Sequence, residues 1–130
     1  MSDSNIIPTP LKALTAVLFA LTVLFMLTPV THGQSEAEKG KQLFQQKTCA
    51  ASHTIGGGKL AGPDLAGVTE RREEEWIRKW LKSPDTMVMT DPIAKEMLGV
   101  YMVPMPNLGL TDEEIDALIV YLKSEDAAKK

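Results

Sequence analysis

Cysteine occurs once in these 130 residues, as Cys49. A single thiol cannot close an internal disulfide, so it pairs with another molecule, stays free, or takes part in chemistry. Aromatic residues make up only 5% of the chain, and a short domain with so few large rings is expected to have a marginal core unless something else is buried with it. Positive charge is not in excess either. The net charge is −3 and lysines and arginines are interspersed with acids, which excludes the basic stripe of a nucleic-acid binder. Apolar and polar residues do not alternate over any run of strand length, and no repeat is present, so the chain reads as all-α. Its length allows one globular domain and a leader.

One long apolar run is present, near the start. Ala13 to Leu27 carries no charge, glycine or proline, with Lys12 before it and Thr28-Pro29-Val30-Thr31-His32-Gly33 after it. That core suits a signal peptide, while Leu11 to Val30 taken together would span a bilayer as a helix. Thr31 and Gly33 stand at the small-residue spacing that a signal peptidase reads, so cleavage near Gly33 is expected, with an uncleaved membrane anchor as the alternative. Residues 1–33 are then a signal peptide or anchor, and 34–130 a domain outside the cytoplasm, in the periplasm or on the outer face of the cytoplasmic membrane.

Within that domain the helix signals are local. Ser35 and Glu38 form a Ser-x-x-Glu capping pattern that opens a helix to about Lys47, with Ala37, Gly40, Leu43 and Phe44 on one stripe. Glycines and a proline break any period from Cys49 to Val68, where only Leu60 and Leu65 read as buried. Trp76, Ile77, Trp80 and Leu81 predict a helix over about Thr69 to Lys82, ended by Ser83-Pro84. Asp91 caps and Pro92 starts a short helix to about Leu98, with Gly99 as its stop. Thr111 and Glu114 make a second capping box, followed by Ile115, Leu118, Ile119 and Leu122 at i, i+3, i+4 and i+7.

The chemistry concentrates around Cys49-Ala50-Ala51-Ser52-His53. A thiol that adds to a haem vinyl group and an imidazole that ligates iron are what a c-type haem site requires, ordinarily as Cys-x-x-Cys-His. By itself a cysteine four residues before a histidine has little specificity. From about Ala37 to Glu125, however, the chain resembles the class I cytochromes c. Gly40 and Phe44 lie on the first helix, Gly62-Pro63-Asp64-Leu65 follows the haem motif, Met105 sits in Val103-Pro104-Met105-Pro106, and a capped helix comes last.

The resemblance implies a cytochrome c fold of three to five helices around one haem c. Gly40 and Phe44 would cross the last helix at Leu118, Ile119 and Tyr121. His53 would be the proximal iron ligand, with the Pro63 carbonyl accepting its other ring N–H, and Met105 the sixth ligand, with Met102 in reserve. Ser52 stands at the second cysteine position and its hydroxyl forms no stable thioether, so one covalent bond through Cys49 is expected. With both axial positions filled, a one-electron carrier is implied rather than an enzyme. Its partners would be redox proteins, such as a quinol-oxidising complex and a terminal oxidase or reductase. The stretches around His53 and Met105 also look like small cytochromes of nitrous-oxide and other copper-dependent respiration, which points to a nitrous-oxide reductase as one such partner.

Other residues have plainer readings. Met87, Met89, Met97 and Met102 read as gap-filling core, some of them lining a haem pocket. Trp76 and Trp80 read as core, with either indole N–H able to meet a haem propionate. His32 belongs to the leader. Gly56-Gly57-Gly58 neither follows a strand nor opens a helix with Lys-Ser/Thr, so it is a connector and not a phosphate loop. Lys47 and Lys59 flank the haem motif and read as solvated surface or as contacts for an acidic partner, and Glu73 to Glu75 as a solvated face. Two other classes remain: a copper(I)-handling module using Cys49, a histidine and methionine sulfurs, and a haem-free degenerate domain.

Overall fold

The computed structural model describes residues 35–129; the apolar run and His32 lie outside them. Every regular element among the described residues is helical: α1 (Glu36–Gln46), a 3-10 turn (Cys49–Ala51), α2 (Val68–Arg71), α3 (Glu74–Lys82), α4 (Pro84–Thr90), α5 (Pro92–Tyr101) and α6 (Asp112–Ala128). None of these helices is long and apolar enough to cross a membrane.

The last helix organises the rest. Its start is fixed by a complete capping box: Thr111 Oγ1 accepts from Glu114 N, and the Glu114 carboxylate accepts from Thr111 N. Ile115, Ala117, Leu118, Ile119, Tyr121 and Leu122 are then buried, a stripe wide enough to receive α1, α2 and α3 together. α1 crosses at Gly40, where a Cβ would lie 2.0 Å from the Ala117 carbonyl oxygen and 2.6 Å from Tyr121 Cβ. Only a residue without a side chain lets the two backbones approach so closely. One turn on, Phe44 packs against Tyr121 with ring centroids 5.8 Å apart. The crossing expected of Gly40 and Phe44 is therefore present, centred on Ala117 and Tyr121.

Polar contacts lock α3 to α6 along its exposed edge. Arg78 pairs with Asp116 at 2.6 Å, Lys82 with Asp112 at 2.7 Å and Lys123 with Glu74 at 2.5 Å. Exposed pairs like these contribute little individually, but Glu74 thereby joins α3 to α6, whereas Glu75 pairs along its own helix with Lys79 at 3.6 Å and Glu73 is exposed. Lys123 first, and then Arg78, hold the Glu74 carboxyl below the usual range.

Several boundaries differ from the sequence expectation. The helix expected over Thr69 to Lys82 is broken at Arg72 and Glu73, both extended. Its first part is capped from a distance: the buried Asp126 of α6 accepts from Gly67 N at 2.5 Å, Thr69 N at 3.0 Å and Thr69 Oγ1 at 2.6 Å. Ser83 ends α3 as expected, yet Pro84 at once begins α4, since proline suits a first helical position. Gly99 is not a stop. α5 runs on to Tyr101, because Met97, Leu98 and Tyr101 face the central cavity, and ends at Met102 in the left-handed region (φ 59°). Leu60, expected to be buried, is 46% exposed at the loop tip.

Candidate functional site

One turn of 3-10 helix shapes residues 49–53. Thr48, left-handed at φ 60°, turns the chain out of α1, and the Cys49 carbonyl then accepts from both Ser52 N (3.0 Å) and His53 N (2.9 Å). This winding brings Cys49, Ser52 and His53 to the wall of one cavity of about 710 Å³, whereas Ala50 and Ala51 do not line it. The two intervening residues are thus spacers that set the thiol and the imidazole on the same side.

The imidazole is held on two sides. His53 Nδ1 lies 2.9 Å from the Pro63 carbonyl oxygen; a carbonyl only accepts, so Nδ1 carries the proton and Nε2 keeps its lone pair for a metal. Gly62 covers the ring so closely that a Cβ there would fall 2.4 Å from His53 Cε1. The loop that carries Gly62 and Pro63 is tied back through Gly62 N to the Ser52 carbonyl (2.8 Å) and Leu65 N to the Thr54 carbonyl (2.8 Å).

Asp64 stiffens the same loop. Its carboxylate accepts from Ala66 N (2.8 Å), Gly56 N (2.8 Å), Gly58 N (2.5 Å) and Thr54 Oγ1 (3.0 Å). Those amide donors, Ala66 first, hold it well below the usual carboxylate range. Gly56 and Gly58 take positive φ values of 88° and 90° to aim their N–H groups at it, so the glycine run is a carboxylate clamp as well as a connector. Arg71 adds bonds to the Ala66 and Asp64 carbonyls.

Across the cavity stand residues brought from far along the chain. Trp76, Ile77, Trp80 and Leu81 come from α3, Met97, Leu98 and Tyr101 from α5, and Val103 to Pro106 from the loop before α6. All five residues singled out by sequence, Cys49, Ser52, His53, Pro63 and Met105, line this one space. Met102 does not: it is 79% exposed. Met89, 71% exposed, is neither core nor lining, while Met87 is buried core. Lys47 is already paired with Glu114 at 3.0 Å, and Lys59 sits over the Tyr101 ring at 4.8 Å.

The site suits a haem in size and chemistry. Its volume falls in the range of cofactor pockets, about 300–1,000 Å³, and its lining is mostly apolar. Trp76 stacks on Trp80 with centroids 5.6 Å apart, and its Nε1–H is buried with no hydrogen-bond partner. An orphaned donor in an apolar wall is costly by itself and matches an anionic carboxylate brought in with a cofactor. The Asp91 carboxylate lies nearby; its bond from Ala94 N at 2.9 Å is the main cause of its lowered pKa, and the Trp76 indole N–H, which makes no well-formed hydrogen bond to it, adds a smaller lowering. Burial pushes the Cys49 thiol pKa up. No group of three or more His, Cys, Asp or Glu able to hold a metal is found among the described residues. Asp126 was missed as a site-supporting residue, since nothing adjacent to it in sequence hints at Gly67 and Thr69.

Comparison with known proteins agrees with this geometry. The family model described as Cytochrome c matches residues 37–126. A solved cytochrome c from Rhodothermus marinus superimposes with a TM-score of 0.69 at 28% identity, covering 74% of this chain and 81% of that one. The cytochrome c domain of a Pseudomonas putida protein is 40% identical, with a TM-score of 0.61 over 68% of this chain and 88% of that one. Among curated proteins, the cytochrome c oxidase subunit 2 of Alkalihalophilus pseudofirmus is 28% identical over 97 residues, 68% of this chain; the chain spans about a quarter of that subunit. A haem-sized apolar cavity, a cysteine and a carbonyl-oriented histidine on its wall, and a match covering most of the domain lead to one assignment: this chain belongs to the cytochrome c family, a haem c protein of electron transfer.

Proposed function

We propose that the protein is an exported one-electron carrier whose haem is attached through Cys49 alone, with His53 and Met105 as the axial ligands. The observation that carries this reading is the His53 Nδ1 to Pro63 oxygen contact at 2.9 Å, which leaves Nε2 free to ligate beside Cys49. When bound, the haem supplies the iron that cycles between two oxidation states; the chain's residues orient it and keep water out. Cys49 would hold the haem by a thioether, its S–H adding across one vinyl double bond so that sulfur takes one carbon and the proton the other. Ser52 offers no thiol to the other vinyl group, which keeps its double bond. A thioether ligand favours reduced iron and raises the potential, as suits a carrier.

The leader sequence supports a location in the periplasm or on the outer face of the cytoplasmic membrane. Similarity to an oxidase subunit supports a redox protein such as a terminal oxidase as the electron acceptor, and the stretches around His53 and Met105 keep a copper-dependent reductase such as a nitrous-oxide reductase as the other proposed acceptor. The test is to express the full chain in a host that exports it and matures haem c, record a reduced-minus-oxidised spectrum, and extract with acidified solvent. Haem that resists extraction and a reduced band at longer wavelength than in two-thioether cytochromes are expected. Extractable haem would refute the attachment, and a two-thioether spectrum would refute the single bond. Recovery of holoprotein in the cytoplasmic fraction would refute export.

A further inference from the structure

The segment that presents Met105 has few attachments. Among the described residues no backbone-to-backbone hydrogen bond anchors residues 103–108, and Pro104 and Pro106 have no N–H to offer. Both ends are left-handed, Met102 at φ 59° and Gly109 at φ 62°. Upstream, Met102 N closes α5 on the Leu98 carbonyl at 2.9 Å; downstream, Leu110 is buried in the core. Val103, Pro104 and Pro106 are exposed.

Leu108 packs against the core at the far end of this strap, and one polar side chain next to it ties the strap to α4. Asn107 Nδ2 donates to Asp85 Oδ1 at 3.0 Å, and Asn107 Oδ1 accepts from Gly109 N at 3.0 Å. The two partners fix the amide orientation, because a carboxylate only accepts and a backbone N–H only donates. Asp85 is in the first turn of α4, a helix anchored by the buried Pro84 and Met87. The contact therefore joins a rigid element to the segment that begins two residues after Met105.

We propose that the Asp85–Asn107 hydrogen bond is a latch that positions Met105, so that cutting it lets a small neutral ligand displace the thioether from ferric iron more readily. The inference rests on Met105 being the sixth ligand. Asp85 and Asn107 are positioning residues: both are exposed, and they act on the iron site only through the strap. A single hydrogen bond at an exposed site is worth enough to change a local opening equilibrium roughly three- to tenfold, while leaving global unfolding nearly unmoved.

The experiment titrates ferric holoprotein with imidazole and follows loss of the methionine-to-iron charge-transfer band in the near infrared. Asp85→Ala and Asn107→Asp are expected to bind imidazole three- to tenfold more tightly than the parent, the second because two carboxylates then face each other. Asp85→Asn keeps an acceptor for Nδ2 and should restore the parent affinity, with denaturation midpoints unchanged throughout. Parent affinity in both disrupted variants, or failure of Asp85→Asn to restore it, overturns the latch while leaving the ligand in place. A band that is absent from the parent or survives in Met105→Ala overturns the ligand assignment, and the latch with it.

Discussion

Gly40→Ala and Gly99→Ala each add one methyl group inside a helix, where alanine is favoured over glycine by about 1 kcal/mol. At Gly99 the new Cβ would meet nothing within 4 Å, so the intrinsic gain stands and stability should rise by about 0.5–1 kcal/mol. At Gly40 the same atom would land 2.0 Å from the Ala117 oxygen and 2.6 Å from Tyr121 Cβ, where carbon contacts settle at about 3.5–4 Å. Neither obstacle is the free end of a side chain, so no rotamer change relieves the clash and α1 must move off α6. Overpacking of this kind costs about 3 kcal/mol, leaving a net loss of about 2 kcal/mol after the propensity gain. In a domain of this size 1 kcal/mol moves the melting temperature by about 4–8 °C. Gly40→Ala should therefore melt about 8–16 °C lower than the parent and Gly99→Ala about 2–8 °C higher. Calorimetry on holoproteins of matched haem content reads both. A Gly40→Ala variant that melts at or above the parent would refute the close crossing, and destabilisation by Gly99→Ala would refute the open environment assigned to that position.

Other perturbations probe the site and its supports. Ser52→Cys should supply the second thiol and move the reduced band to shorter wavelength; an unchanged spectrum would mean that position 52 does not face a vinyl group. Gly62→Ala would drive the His53 ring off the Pro63 carbonyl, making the ligand less basic and raising the midpoint potential by about 60 mV, the equivalent of a tenfold shift in relative affinity; a parent-like potential in redox titration would count against His53 as the ligand. Asp126→Ala strands the Gly67 and Thr69 donors and should cost about 2–3 kcal/mol in urea unfolding, so parent-like stability would remove the long-range cap. Burial pushes the Asp126 carboxyl up, but the Thr69 and Gly67 donors outweigh it and its pKa is lowered on folding. Its contribution is therefore complete above about pH 4 and lost as pH falls through the folded-state value. Asp126→Asn should flatten the acid limb of the stability curve, and an acid slope as steep as the parent's would sink that account.

Legibility in the sequence followed the range of the cause. Ser35, Asp91 and Thr111 announce helix starts because each cap is made within three residues, and all three side chains accept from the expected amide. The grouping of Cys49, Ser52 and His53 was legible for the same reason, since winding over five residues sets all three on one wall. Gly99 misled because a helix end depends on what the last turn packs against, and here the cavity-facing Tyr101 keeps the helix going to Met102. Leu60 misled because an apolar residue at a loop tip is buried only if another segment covers it.

The amino-acid sequence by itself determined the all-α class and the helix starts capped at Ser35, Asp91 and Thr111, since capping and 3.6-residue periodicity act locally along the chain, and its motifs carried the family resemblance that pointed to Pro63 and Met105. Tertiary structure alone decided the rest. It set α1 on α6 through a glycine that excludes a methyl group, placed Asp126 beneath Gly67 and Thr69, and fastened the Met105 strap to Asp85. Each of these contacts joins residues distant along the chain, and only the packing of the helices brings them within bonding distance.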